Sequence, residues 1–295
     1  MAEPKSAGTR LLEALEAERP LQIPGAINAY AARLAEQAGF RALYLSGAGV
    51  ANASYGMPDL GLTGLNDVLE DVRRITAVSE LPLLVDADTG WGGALLIERT
   101  VREMIRAGAA GIHLEDQVQS KRCGHRPGKV LVAAGEMDDR IRAAVGARGD
   151  PGFVIMGRTD AFATEGLDRA IERAVGYVAA GADMIFPDGL SELGDFRRFA
   201  EAVSVPVLAN ITEFGRTPLF TLDELRDAGV RLALYPLSAF RAMSAAAMRV
   251  YQTVRTEGTQ AAVVSEMQTR DDLYRVLDYL AYERRIDGLL AADSE

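Results

Sequence analysis

Eight short apolar segments, each ending in polar or small residues and followed by a longer stretch with helical spacing, constrain this chain more than any other feature. They are LQIPGAI (21–27), ALYLSG (42–47), PLLVDAD (82–88), GIHLED (111–116), FVIMGRTD (153–160), MIFPDG (184–189), PVLANI (206–211) and LALYPL (232–237). Short runs rich in Val, Ile and Leu read as buried strands. Between them, LNDVLEDVRRITAVSE (65–80) and GLDRAIERAVGYVAAG (166–181) carry apolar residues three and four apart, the spacing of amphipathic helices. Eight strands alternating with helices predict an α/β fold, a (β/α)8 TIM-type barrel.

An internal repeat supports the count. Ala-Gly pairs at 38/39, 107/108, 180/181 and 228/229 stand just before the second, fourth, sixth and eighth strands, with glycine where a left-handed residue ends a helix. Three odd-numbered strands begin instead at or after Pro82, Pro151 and Pro206. Beyond the eighth strand lie SAFRAMSAAAMRVYQTVRTEG (238–258) and TRDDLYRVLDYLAYERRI (269–286), the second capped by Thr269. The 295 residues thus read as one barrel domain over 1–295, with 258–295 as a C-terminal helical extension. Leu273, Leu277 and Leu280 along one side of that extension call for cover, from its own barrel or from a neighbouring subunit.

Composition narrows the partners. A net charge of −10 from 42 carboxylates repels polyanions, which argues against nucleic-acid or anionic-membrane binding and for a small-molecule substrate. No run of 18 apolar residues occurs and MAEPKSAGTR lacks an apolar export signal, so a cytoplasmic location is expected. The lone cysteine, Cys123, excludes an intramolecular disulfide. Only Lys5, Lys121 and Lys129 are lysines, all outside the strands, which disfavours Schiff-base chemistry. SGAGVANASYG (46–56) lacks the third glycine of a dinucleotide fingerprint, Asn52 standing in its place.

In such barrels the chemistry gathers at the C-terminal strand ends. Here those ends offer Ser46, Asp86, Asp88, Glu115, Asp116, Arg158, Asp160, Asp188, Asn210, Thr212, Glu213 and Ser238. Asp86 and Asp88, two apart, leave a strand on one face, and with Glu115 one strand away they suit a hard cation: Mg²⁺, or Mn²⁺ as a substitute. Zinc on Cys123 and His125 is a poor alternative, because C-x-H spaces two ligands too tightly. The pentapeptide KRCGH (121–125) falls in QVQSKRCGHRPGKV, a polar stretch after strand four that reads as a mobile loop over the mouth. Lys121, Arg122 and His125 favour a Cys123 thiolate able to exchange protons near neutral pH.

KRCGH, with VDAD (85–88), HLEDQ (113–117), GRTDA (157–161) and NITEFG (210–215), closely resembles the isocitrate lyase and phosphoenolpyruvate mutase superfamily from about residue 10 to 288. Within it the chain is similar to the branch that splits 2-methylisocitrate into pyruvate and succinate, a step of the methylcitrate cycle of propionate breakdown. The resemblance implies Mg²⁺ on Asp86 and Asp88, with Asp59 and Glu115 positioning its waters, and a retro-aldol cleavage in which Cys123 protonates the succinate carbanion. It implies Tyr44 as a candidate base. Ser46, Gly47, Ala48 and Arg158 would meet the pyruvyl carboxylate; Gly124, Asn210, Thr212, Arg241 and Arg270 would hold the succinyl carboxylates. Phe186, Leu234 and Pro236 would receive the extra methyl, worth about 1 to 3 kcal/mol. The resemblance further implies a homotetramer, a dimer of dimers whose subunits exchange their last helices. Ala48, NASYGM (52–57) and Asp188 depart from the branch's usual residues, and the short Asp188 is expected to reach Arg158 or substrate through water. Competing readings are a decarboxylase or hydrolase acting on oxaloacetate or a related 2-oxo acid, which keeps the metal and dispenses with the thiol, and a non-catalytic metabolite-binding protein.

Overall fold

A computed structural model describes residues 5–122 and 128–292. Two compact units divide the chain, one ending at Phe240 and the other beginning at Arg241. All eight expected strands are present in the first: β1 (Leu21–Pro24), β2 (Leu43–Leu45), β3 (Leu83–Asp86), β4 (Gly111–Glu115), β5 (Val154–Thr159), β6 (Met184–Pro187), β7 (Leu208–Asn210) and β8 (Leu232–Tyr235). Every pairing is parallel, β2 to β6 in sequence order and β1, β8, β7 as a second group. Bridges between Gly25 and Tyr44 and between Ile185 and Val207 join the two groups and close the barrel. The strands stop short of their expected C-terminal ends because the following residues leave the ladder for the mouth. Asp88, at φ 48°, has already turned away.

Strand parity sorts the side chains. Leu43, Leu45, Leu83, Val85, Ile112, Leu114, Ile155 and Ile185 face outward into one apolar layer under the helices. Tyr44, Leu84, Met156, Phe186, Leu208, Leu232 and Leu234 face inward and fill the barrel. That inner cluster takes in Leu11 and Leu15 of α1 (Ala7–Ala17), beside the N-terminal strand residues Leu21, Ala42 and Ala110, so α1 plugs the bottom of the barrel. Burying each leucine contributes roughly 1.5 to 3 kcal/mol. Ser6 caps the helix by accepting from the Thr9 N–H, and Gly8 lies so close to the turn before β5 that a Cβ there would stand 2.1 Å from the Gly152 carbonyl oxygen. The four Ala-Gly glycines take the left-handed conformation their position requires: φ is 92° at Gly39, 87° at Gly108, 107° at Gly181 and 80° at Gly229.

In the second unit, a helix begun at Ser238 continues to Glu257, followed by a 3-10 segment, Ala261–Glu266. The single stretch expected over 269–286 is two helices, Arg270–Leu277 and Tyr279–Ala292, because Asp278 adopts the left-handed conformation at φ 52°. A short polar side chain tolerates that conformation better than most. Thr269 caps the first helix through the Asp272 N–H, as expected, and Tyr274 stacks on Tyr279 across the break. Leu280, Tyr282, Ile286 and Leu289 are exposed.

Candidate active site

Inward parity carries a layer of ionisable groups to the top of the first unit. Asp86 ends β3 opposite His113 of β4, Glu115 ends β4 opposite Arg158 of β5, and Arg158 lies opposite Phe186 of β6. Asp86 is fixed by two backbone donors, Gly47 N–H to Oδ2 at 3.1 Å and Asp88 N–H to Oδ1 at 3.0 Å. The left-handed turn at Asp88 brings its carboxylate back beside the first. A Cβ added to Gly47 would sit 3.1 Å from both Asp86 Oδ2 and Asp88 Oδ1, so glycine leaves open a small space that the two carboxylates share. Lys121 reaches the same edge: its ammonium ion-pairs with Asp88 Oδ1 and lies 3.1 Å from Asp59 Oδ1.

Two hard oxygen donors facing one space fit Mg²⁺, which commonly takes one or two carboxylates and keeps several waters. Among the described residues, however, no group of three or more His, Cys, Asp or Glu side chains converges on one point. Of the carboxylates expected from sequence, Asp86 and Asp88 are the two that face the space at Gly47. Glu115 is turned toward Arg158, whose Nε lies 3.4 Å away, and both its carboxylate oxygens are buried without a hydrogen bond among the described residues. Burial pushes its carboxyl well above the usual range, against the pull of Lys121 and Arg158. Asp88 is pushed up to about 6, mainly by burial and also by Asp86, with Lys121 opposing. Asp86 is likewise penalised by burial, but the positive charges of protonated His113, Lys121 and Arg158 outweigh that and hold its carboxyl low.

Arg158 organises the opposite side. Its guanidinium donates to Asp160 at 3.1 and 3.3 Å and to Asp188 at 3.0 Å, and it lies 4.9 Å from the centre of the Phe186 ring. Asp188 also accepts from the Asn210 amide at 3.1 Å. The expectation that this short carboxylate works through water is thus corrected: β5 and β6 are adjacent, and the direct contact closes without the extra methylene. Lys129 and the Gln117 amide donate to Asp160 at 2.7 and 3.2 Å. Two of the three lysines are therefore buried among carboxylates. Burial works against the charge on Lys121, but Glu115, Asp88, Asp86 and Asp59 raise its pKa well above the ordinary value, so it is no nucleophilic amine.

Beneath this layer the Tyr44 hydroxyl lies 2.8 Å from His113 Nε2, which is 3.5 Å from Asp86 Oδ1. Burial, reinforced by Asp86, raises the Tyr44 phenol well above its usual pKa, and burial lowers His113 to about 4. At neutral pH both are uncharged and Tyr44 holds its proton, which weighs against the base role drawn from resemblance. His113 itself was missed as a site residue, although its inward parity with Glu115 was readable. Asp116 is a second correction. It faces outward, accepting from Thr159, Tyr177 and the Asp160 N–H, and ties strand ends together instead of lining the mouth.

The remaining candidates divide by location. Ser46 and Gly47 are buried and Ala48 half-buried at the helical turn Gly47–Gly49, but the Gly47 N–H expected to meet a substrate carboxylate is engaged by Asp86. Asn210, Thr212, Phe186, Leu234 and Pro236 are buried at or just beyond the ends of β6 to β8, and Glu213 pairs with Ser238. The loop expected to be mobile over 117–130 is anchored at its base, where Gln117 bridges Leu131 and the Gln117 side chain clasps the Arg122 backbone at 2.9 and 3.0 Å. Cys123, Gly124 and His125 lie outside the described residues. Arg241 and Arg270 belong to the second unit.

Comparison with known proteins adds three findings. The family profile for phosphoenolpyruvate phosphomutase matches residues 12–255. Over 287 residues the chain is 61% identical to 2-methylisocitrate lyase of Escherichia coli (strain K12), covering 97% of each. Among solved structures it is similar to 2,3-dimethylmalate lyase, with TM-score 0.89, 35% identity and coverage of 97% and 96%, and to phosphonopyruvate hydrolase in complex with oxalate and Mg²⁺, with TM-score 0.83, 27% identity and coverage of 97% and 99%.

Proposed function

Because the chain belongs to the phosphoenolpyruvate phosphomutase family, we propose that it is a Mg²⁺-dependent carbon–carbon lyase that cleaves 2-methylisocitrate into pyruvate and succinate in propionate breakdown. The observation that carries this reading is the shared space between Asp86 and Asp88, beside a fixed Arg158, in a chain so similar to a lyase of that name. Asp86 and Asp88 would hold the cation, for which Mn²⁺ is a substitute; when bound it would make the substrate's hydroxyl more acidic and offset the charge of the adjoining carboxylate. Asp59 and Glu115 would orient its waters.

Arg158 is held by Asp160 and Asp188, so its positive charge is in place before substrate arrives and needs no reorganisation. It and Ser46 receive the pyruvyl carboxylate, with Ala48 beside them. Asn210 and Thr212 take a succinyl carboxylate; for Gly124, Arg241 and Arg270 the same role rests on the family resemblance alone, arginine being suited to paired hydrogen bonds. Phe186, Leu234 and Pro236 form the wall for the methyl. Loss of the hydroxyl proton to water lets the carbon–carbon bond break; the electron pair passes to the succinyl fragment as its aci-carboxylate, Cys123, flanked by Lys121 and His125, supplies a proton to that carbon, and the proton released to water restores the thiol. Among the described residues no helix is long and apolar enough to cross a membrane. We read the protein as a cytoplasmic homotetramer, a dimer of dimers, and the chain as one barrel domain with a helical extension whose exposed face a neighbouring subunit covers.

The test is product stoichiometry. Purified protein with Mg²⁺ and 2-methylisocitrate is expected to release pyruvate and succinate one to one, with slower turnover of isocitrate and loss of both products in Cys123→Ser. Turnover of oxaloacetate but of neither tricarboxylate would overturn the assignment.

A further inference from the structure

We infer that Lys121 is a built-in counter-cation for the Asp86–Asp88 pair, and that a divalent cation binds only by displacing its ammonium from Asp88. The inference rests on the reading of these two aspartates as the metal ligands. Asp88 Oδ1 is at once the atom that Lys121 ion-pairs with and one of the two oxygens that face the open space at Gly47. Apart from that ammonium it has no hydrogen-bond partner among the described residues, so Lys121 is its resident partner. Lys121 is itself buried, its side chain 4% exposed, and its other close carboxylate is Asp59.

Charge balance points the same way. Asp59, Asp86, Asp88 and Glu115 face Lys121 and Arg158, but Arg158 is committed to Asp160 and Asp188. Without metal, Lys121 is the cation paired with Asp88 in a buried setting. With metal, two cations would share one oxygen, and their repulsion is poorly screened there. A cavity of about 220 Å³, lined by Thr63, Gly64, Trp91 and Gln119, reaches both Asp88 and Lys121 and gives the displaced ammonium somewhere to go. The arrangement weakens metal binding in the resting protein and delivers a freed ammonium beside the metal once it is bound.

Metal binding, read without turnover, tests this. Titration of Mg²⁺ into the whole protein by calorimetry is expected to give at least tenfold tighter binding in Lys121→Met than in wild type, with Lys121→Arg close to wild type. Equal or weaker binding in Lys121→Met would overturn the inference while leaving the metal site standing. No Mg²⁺ binding in wild type or in Lys121→Met would overturn the metal reading itself. Should Lys121→Met fail to fold, amine labelling of wild type followed by mass spectrometry decides: Mg²⁺ is expected to speed labelling of Lys121 severalfold against Lys5 and Lys129 as internal references, and an unchanged ratio would overturn the inference.

Discussion

His113 and Asp88 titrate across nearly the same pH range with opposite consequences. Burial lowers His113 from 6.5 to about 4, so between those values the unfolded chain takes up a proton that the folded protein refuses, and stability falls as pH falls. Asp88, raised from 3.8 to about 6, keeps a proton that the unfolded chain has lost, and this contribution disappears as pH rises toward 6. The two offset each other in the metal-free protein. Replacing His113 with glutamine exposes the balance: the stability of wild type relative to His113→Gln is expected to drop by roughly 1.4 kcal/mol per pH unit from pH 6.5 down to 4.5, measured by urea unfolding in EDTA. Parallel pH curves would contradict the shift assigned to His113. Strand parity made Asp86, Glu115 and Arg158 readable as inward groups. Asp88 was read as a strand residue and Lys121 as a neighbour of Cys123; their ion pair was not foreseen, because both lie past the strand ends, where a left-handed turn and a loop decide direction. Lys121 was weighed as a nucleophile and as a charge beside Cys123, and Lys129 only as a nucleophile, although burial among carboxylates makes both counter-ions.

The elements were more legible than their ends. Valine, isoleucine and leucine runs marked all eight strands, and glycine's tolerance of positive φ marked four helix ends, because both signals are local. The plug α1 was not foreseen. LLEALEA reads as any amphipathic helix, and only the closed barrel creates the bottom opening that it fills. Its fit depends on Gly8 meeting Gly152. Gly8→Ala, which on helix propensity alone would stabilise by about 1 kcal/mol, is instead expected to destabilise by about 1 to 3 kcal/mol, because a methyl 2.1 Å from a carbonyl oxygen forces α1 away. Chemical denaturation checks this, and kcat should hold, since the mouth lies at the other end. A stability gain would show that α1 shifts freely and does not seal the barrel. The break at Asp278 was hidden for the opposite reason: the apolar spacing runs on through it and only the backbone turns.

At the scale of the whole molecule, the barrel serves as a frame that brings charges from the ends of four consecutive strands, β3 to β6, and an amide from β7 within reach of one another. The buried arginine and lysines accord with a small anionic substrate, and the second unit carries exposed apolar residues. These broad features were legible from composition and motif order; the pairing of each cation with its carboxylates was not, since it depends on neighbours far apart in the chain. The central claim is that Asp86 and Asp88 hold the cation on which cleavage of 2-methylisocitrate depends. Pyruvate release from 2-methylisocitrate, followed for wild type and Asp86→Asn with Mg²⁺ or with EDTA, tests it most directly. Wild type is expected to be active with Mg²⁺, silent in EDTA and restored by excess Mg²⁺, with Asp86→Asn at least a hundredfold slower. Undiminished pyruvate release in EDTA, or full activity of Asp86→Asn, would contradict it.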